Sequence, residues 1–205
     1  MDFSDEDGTF AVQTARNIIE EWVRSRNIIK PRFPDKFNEM GGVFVTISKY
    51  PGHDLRGCIG FPEPVYTLAK ALSEAAISSA SYDPRFLPMK SKELDDVVVE
   101  VSLLTPPKLL DAETPSEYPK QIEIGRDGLI AELGVSRGLL LPQVPVEWGW
   151  DAEEFLEYLC NKAGLSPSSW LDPRMNIYSF QAEIFIEESP RGNIVRKELD
   201  LPKEE

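Results

Sequence analysis

A run rich in β-branched residues, "GGVFVTISKY" (Gly41 to Tyr50), is followed by a second extended run, "DLRGCIG" (Asp54 to Gly60), with "YPGHD" as the loop that joins the two runs. A parallel crossover takes a dozen residues or more, so a connection this short joins the two runs as an antiparallel hairpin. Elsewhere the chain shows no βαβα alternation. Residues from about Asp7 to Asn27 carry apolar side chains at helical spacing (Ala11, Ala15, Ile18, Ile19, Trp22), and Pro31 and Pro34 close that helix. A second helix is expected from Pro64 to about Ser81, with Val65, Leu68, Ala69, Leu72 and Ala76 on its buried stripe. "DDVVVEVSLLT" is a strand stopped by Pro106 and Pro107. "QIEIGRDGLIAEL" reads as a hairpin turning at Asp127-Gly128, and "RGLLLPQVP" as a strand ended by Pro142. A third helix opens at Asp151, with Glu154 completing a capping box and Gly164 placed as its C-terminal glycine. "IYSFQAEIFIEE" is the last strand, and the charged tail 188–205 reads as flexible. Three helices among antiparallel hairpins define an α+β class.

At 205 residues the chain can bury a sizeable core as one domain with a larger and a smaller lobe, the smaller expected at about 106–150. No apolar run approaches the roughly 18 residues of a membrane span. The acidic N-terminus lacks the features of a secretory signal. Two distant cysteines do not form a disulfide framework, so a reducing cytoplasm is the expected setting. The net charge of −13 argues against a broad nucleic-acid surface. One basic segment, Arg24 to Lys36, runs against that balance; it either complements the negative end of the first helix or serves as an anion- or partner-docking patch.

Chemistry concentrates in "HDLRGCIGFPEP" (His53 to Pro64), which holds the single histidine and one of the two cysteines. Side chains two apart in a strand share a face, so Arg56, Cys58 and Gly60 are expected on one side and Leu55, Gly57 and Ile59 on the core side. A guanidinium beside a thiol lowers its pKa, and the glycines would leave backbone open to a ligand. Three roles are open to Cys58: core packing, cleft lining without covalent chemistry, or nucleophile. Glu100, a carboxylate amid valines, is the natural partner of Arg56 if their strands are neighbours. His53 reads as a loop residue and Cys160 as core. In "YDPRF", Asp83 before Pro84 favours a turn in which Asp83 and Arg85 interact, with Phe86 as its anchor. Gln143 in "LLLPQV" needs hydrogen bonds from backbone or ligand. Trp148 and Trp150 offer a stacking surface or a core contact. A His-rich metal site, paired zinc cysteines, a Walker loop, a Rossmann fingerprint and a GxSxG elbow are all missing, so no metal is expected and the cofactor is left open.

Four blocks in order, "LRGCIG", "YDPRF", "VEVSLLTPP" and "GLLLPQV", the last followed by "GWDAEEFLEYLCNKAGL", resemble the AMMECR domain family, over roughly Phe10 to Glu187. The resemblance implies a two-lobed α+β unit with the LRGCIG signature near the cleft, and association with Memo-like and radical-SAM proteins, which points to a shared enzymatic or modification pathway. It implies no particular reaction. Three functions are therefore carried forward: a cytoplasmic enzyme or modification-pathway component with Cys58 as nucleophile or redox thiol; a non-catalytic binding module for a small anionic ligand or partner protein, using Arg56, Gly57, Gly60, Arg85 and Gln143; and a nucleic-acid role for the basic segment.

Overall fold

The computed structural model describes residues 3–197. In chain order the elements are α1 (Asp5–Ser25), β1 (Gly42–Lys49), β2 (Leu55–Phe61), α2 (Leu68–Ser81), β3 (Val97–Leu104), β4 (Lys108–Leu109), α3 (Tyr118–Gln121), β5 (Asp127–Leu133), β6 (Ser136–Leu140), α4 (Gln143–Trp148), α5 (Ala152–Lys162), β7 (Asn176–Glu187) and β8 (Ile194–Lys197). The pairs β1–β2, β1–β3, β4–β7, β5–β6, β5–β7 and β7–β8 are antiparallel, and the fold is α+β. The chain divides into two compact units: residues 3–105 with 183–197, and residues 106–182. The second unit begins where the smaller lobe was expected but runs on past residue 150, because its core needs α5 and the first half of β7.

In the first unit the strands lie in the order β2–β1–β3. Val43, Val45 and Ile47 of β1 and Val97, Val99, Val101 and Leu103 of β3 are buried on one face. They form one core with Ala11, Ala15, Ile18 and Ile19 of α1 and Leu72, Ala75 and Ala76 of α2. Small residues on α2 let that helix approach the sheet closely. Ser4 caps α1 with a reciprocal capping box to Asp7, so the helix starts two residues before the apolar stripe suggested. The start of α2 is later than expected. Thr67 takes the N-cap, and Val65 is left exposed ahead of it. The end of β7 pairs with β8, with Glu187 opposite Ile194 and Ile184 opposite Lys197. Residues 188–197 of the tail are therefore built into the unit rather than loose; 198–205 lie outside the described residues. A buried ion pair ties this edge to the core: Glu187 accepts from Arg16 Nε at 2.9 Å, from Arg16 Nη2 and from the Val99 backbone N–H at 3.0 Å.

In the second unit β5 lies between β6 and β7. Its core gathers Leu129, Ala131, Phe155, Leu156, Leu159, Cys160, Trp170 and Ile177, which confirms Cys160 as a packing residue. The hairpin turn sits elsewhere than expected. Leu133 faces Ser136 across Gly134-Val135, with Gly134 in the left-handed region at φ 62°, whereas Asp127 and Gly128 open β5. The reason lies in packing: a Cβ on Gly128 would stand 2.4 Å from the Phe180 ring, and Asp127 is buried, accepting from the Glu123 N–H and from Arg126. Asp151 caps α5 with Glu154 as its capping-box partner, and Gly164 follows in the left-handed region.

Candidate functional site around Cys58

The β1–β2 ladder pairs Thr46 with Cys58 and Ile47 with Gly57, then skips: Ser48 faces Leu55. Arg56 is the extra residue of a bulge, which breaks the alternation on which sharing a face with Cys58 depended. Its guanidinium is buried, donating to Glu93 Oε1 at 2.7 Å and to the Leu87 carbonyl at 3.0 Å. The expected Arg56–Glu100 pair is not formed, because β1 stands between their strands. Glu100 pairs with Lys197 instead, at 3.0 Å. Arg56 is thus a structural residue, and Glu93 is its partner.

Neither glycine of the signature holds backbone open. A Cβ on Gly57 would lie 2.1 Å from the Ser79 carbonyl oxygen of α2, and one on Gly60 would lie 2.3 Å from the Phe44 ring. The close approach at Gly57 has a purpose in the ladder. The Ser79 hydroxyl accepts from the Ile59 N–H at 2.9 Å and stands 2.7 Å from the Val45 carbonyl, so a helix side chain bridges two residues that face each other across the strands. Ser79 sits among alanines on the buried side of α2, and a lone hydroxyl in that setting was the one sequence signal for it.

Strand β2 is an edge, and the "YDPRF" loop covers it at Cys58. Asp83 Oδ2 accepts from the Cys58 N–H at 2.8 Å, while Arg85 Nη2 donates to the Cys58 carbonyl at 3.2 Å. Arg85 is in turn held to Asp83 through its own N–H, Nε and Nη2. One acceptor and one donor thereby replace the neighbouring strand that the edge lacks. Asp83 is buried; Arg85, Nε and Nη2 committed, keeps 54% of its side chain in solvent. No partner meets its Nη1 among the described residues. Phe86 is half-buried beneath the guanidinium groups of Arg56 and Arg85, and Met89 rather than Phe86 anchors the loop in the core.

On the face opposite the helices, Cys58, Thr46 and Glu100 form a row across β2, β1 and β3. The Thr46 hydroxyl lies 3.3 Å from the Cys58 sulfur. Burial pushes the thiol pKa up, Thr46 and the Arg85 charge pull it down, and Glu100 and Asp83 push it up again; the net shift is upward from 9.0. The cation acting on the thiol is Arg85, and its pull is smaller than the upward push of burial. The same guanidinium, with the Cys58 and Arg85 N–H groups, holds the Asp83 carboxyl well below the usual carboxylate range. Among the described residues no three His, Cys, Asp or Glu side chains gather as a metal-ligand group.

Cys58, Asp83, Arg85 and Glu100 fall within the signature blocks, whereas Thr46 and Ser79 do not. Protein MJ0810 of Methanocaldococcus jannaschii is 55% identical over 194 residues, covering 95% of this chain and 96% of its own. Protein PH0010 of Pyrococcus horikoshii is 55% identical over 200 residues, covering 95% and 97%. The AMMECR1 family model matches residues 12–185. The chain belongs to the AMMECR1 family. A solved member, described as the uncharacterised protein PH0010 from Pyrococcus horikoshii, shares the fold at a TM-score of 0.85 with 54% identity, covering 96% of this chain and 99% of that one.

The remaining expected site residues belong to the second unit or have other roles. Gln143 begins α4 in the second unit, where its Oε1 is buried without a hydrogen-bond partner among the described residues. His53 is an exposed hairpin residue at φ 57°. In the basic segment Arg24 pairs with Glu20, Lys36 with Asp7, and Arg26 lies over the Trp22 ring. Arg24 and Arg26 stand at the C-terminal end of α1, where a cation complements the helix's negative end, whereas Lys36 is paired at the opposite end and Lys30 and Arg32 take part in no ion pair among the described residues. No helix among the described residues is long and apolar enough to cross a membrane.

Proposed function

We propose that this AMMECR1 protein acts at the Cys58–Arg85 site as a non-catalytic binding module for an anionic group of a small ligand or partner protein. The observation that carries this reading is the placement of a half-buried thiol, whose pKa burial pushes up, beside an arginine whose Nη1 has no partner among the described residues. A neutral S–H and a fixed guanidinium are both donors, and donors select acceptor oxygens. Asp83 holds Arg85 in one orientation, which lowers the entropy cost of engaging an anion. Tyr82 and Leu87, 63% and 81% exposed, flank the loop and offer apolar contact beside the charge. A cytoplasmic setting, which keeps Cys58 a thiol, and Memo-like or radical-SAM proteins as partners belong to the same proposal.

The test follows alkylation of Cys58 and Cys160 against pH by mass spectrometry, with iodoacetamide and with anionic iodoacetate. Cys58 is expected to react with an apparent pKa above that of the same thiol in the unfolded chain. The iodoacetate-to-iodoacetamide rate ratio is expected to exceed that of the unfolded chain and to fall in Arg85→Gln. An apparent pKa well below the reference of about 8.5 assigns a thiolate nucleophile and returns the enzyme reading. A ratio that Arg85→Gln leaves unchanged removes Arg85 as the anion donor.

A further inference from the structure

The second unit carries an exposed aromatic stack that the Cys58 site does not use. Helix α4 ends at Trp148, and Gly149 turns the chain in the left-handed region at φ 68°. The turn lets Trp148 and Trp150 stack, with centroids 6.2 Å apart and planes 18° from parallel. Trp150 stacks in turn on Tyr158 of α5 at 3.9 Å and 3°. Trp150 is held in the middle of three rings, while Trp148 is 71% exposed and Tyr158 45%. An indole this open gives up apolar contact with nothing in the unit to cover it. Three rings bracing one another give it a fixed orientation.

The charge around the stack has one sign. From Glu147 to Cys160 lie Glu147, Asp151, Glu153, Glu154 and Glu157, with no lysine, arginine or histidine among them. All five are exposed. Asp151 and Glu154 are engaged in the capping box of α5, whereas Glu147, Glu153 and Glu157 take part in no ion pair among the described residues. An aromatic face attracts a cation through its quadrupole, and surrounding carboxylates add to that attraction while repelling phosphate. Arginine fits both features, since its planar guanidinium stacks on indole and forms paired hydrogen bonds to a carboxylate.

We infer that the Trp148–Trp150–Tyr158 stack and its acidic rim form a docking surface for an arginine-bearing basic peptide segment of a partner protein, with the guanidinium stacked on Trp148 and paired with Glu147. Specificity for arginine over lysine follows from the stacking. The surface is separate from the Cys58 site, which lies in the other unit.

The experiment titrates the full chain against fluorescein-labelled arginine–glycine repeat peptides, read by anisotropy, with lysine–glycine and glutamate–glycine repeats of equal length alongside. Saturable binding of the arginine peptide is expected, several-fold weaker for lysine and not detectable for glutamate. Trp148→Ala, at the exposed end of the stack, is expected to leave the chain folded and to weaken binding about thirtyfold or more, as for an aromatic hot spot. Glu147→Gln with Glu157→Gln is expected to weaken it further than Glu6→Gln with Glu74→Gln, which removes the same charge from exposed positions in the other unit. No binding of the arginine peptide at about 1 mM, beyond the weakest affinities of specific recognition, overturns the proposal. So does binding that Trp148→Ala leaves intact, which would reduce the effect to attraction by net charge. A neutral oligosaccharide or a nucleotide that binds and depends on Trp148 where the arginine peptide does not would reassign the surface.

Discussion

Replacing Gly57 by alanine is expected to disrupt the site more than any other single methyl group in β2. The added Cβ would stand 2.1 Å from the Ser79 carbonyl oxygen, an atom of the α2 backbone with no rotamer to give. Restoring an ordinary contact needs a separation of roughly 1.2 Å or more between α2 and β2, judged against a van der Waals distance of about 3.4 Å. That movement lengthens the Ile59 N–H bond to Ser79 Oγ from 2.9 Å and the Cys58 N–H bond to Asp83 from 2.8 Å, taking both beyond useful range. Overpacking costs about 1–3 kcal/mol and each of the two donors left unpaired about the same, so the combined loss is about 3–9 kcal/mol. Urea denaturation with hydrogen exchange read by mass spectrometry measures it. The denaturation midpoint should fall, and Ile59 and Cys58 amides should lose protection before the second unit does. Gly52→Ala is the control: its Cβ would meet nothing nearer than 3.6 Å and stability should hold. A Gly57→Ala protein as stable as the parent, with Cys58 no more accessible to alkylation, would refute the account of a strand end closed by helix backbone.

Asp83→Asn keeps an acceptor for the Cys58 N–H but removes the charge facing Arg85. Because the folded carboxyl titrates well below 3.8, its stabilisation is full above that pH and lost as pH falls; acid denaturation of the variant should therefore show a shallower decline below pH 4, with a loss at neutral pH of about 1–2 kcal/mol, modest because Arg85 is half in solvent. Arg16→Met leaves Glu187 charged and buried, and should cost about 3–5 kcal/mol in chemical denaturation. Adding Glu187→Leu should recover part of that loss, and a double variant no better than the single would contradict the assignment.

Periodicity made most of the elements legible. Helical spacing marked α1 and α5, and β-branched runs marked β1, β3 and β7, because a stripe or a face that must be buried leaves a repeat in one dimension. The Asp83–Arg85 interaction was also readable, since Asp-Pro turns bring their neighbours together locally. The helix starts of α1 and α2 were missed through local caps, while the failed readings of the site and of the β5–β6 turn depended on partners distant in the chain. Asp127-Gly128 has the composition of a turn, yet Phe180 packs on that glycine and draws the pair into β5.

What the sequence by itself determined is the fold class, the family and the segment that holds the candidate site, since these rest on local pattern and on motifs in order. Tertiary structure alone decided what that segment does. A one-residue bulge turned Arg56 away to Glu93, the interposed strand β1 separated Arg56 from Glu100, and the bare backbone of Gly57 was filled by a carbonyl of α2. Register, strand order and interlayer distance are set by the whole packed unit, and they made Arg85 rather than Arg56 the cation beside Cys58.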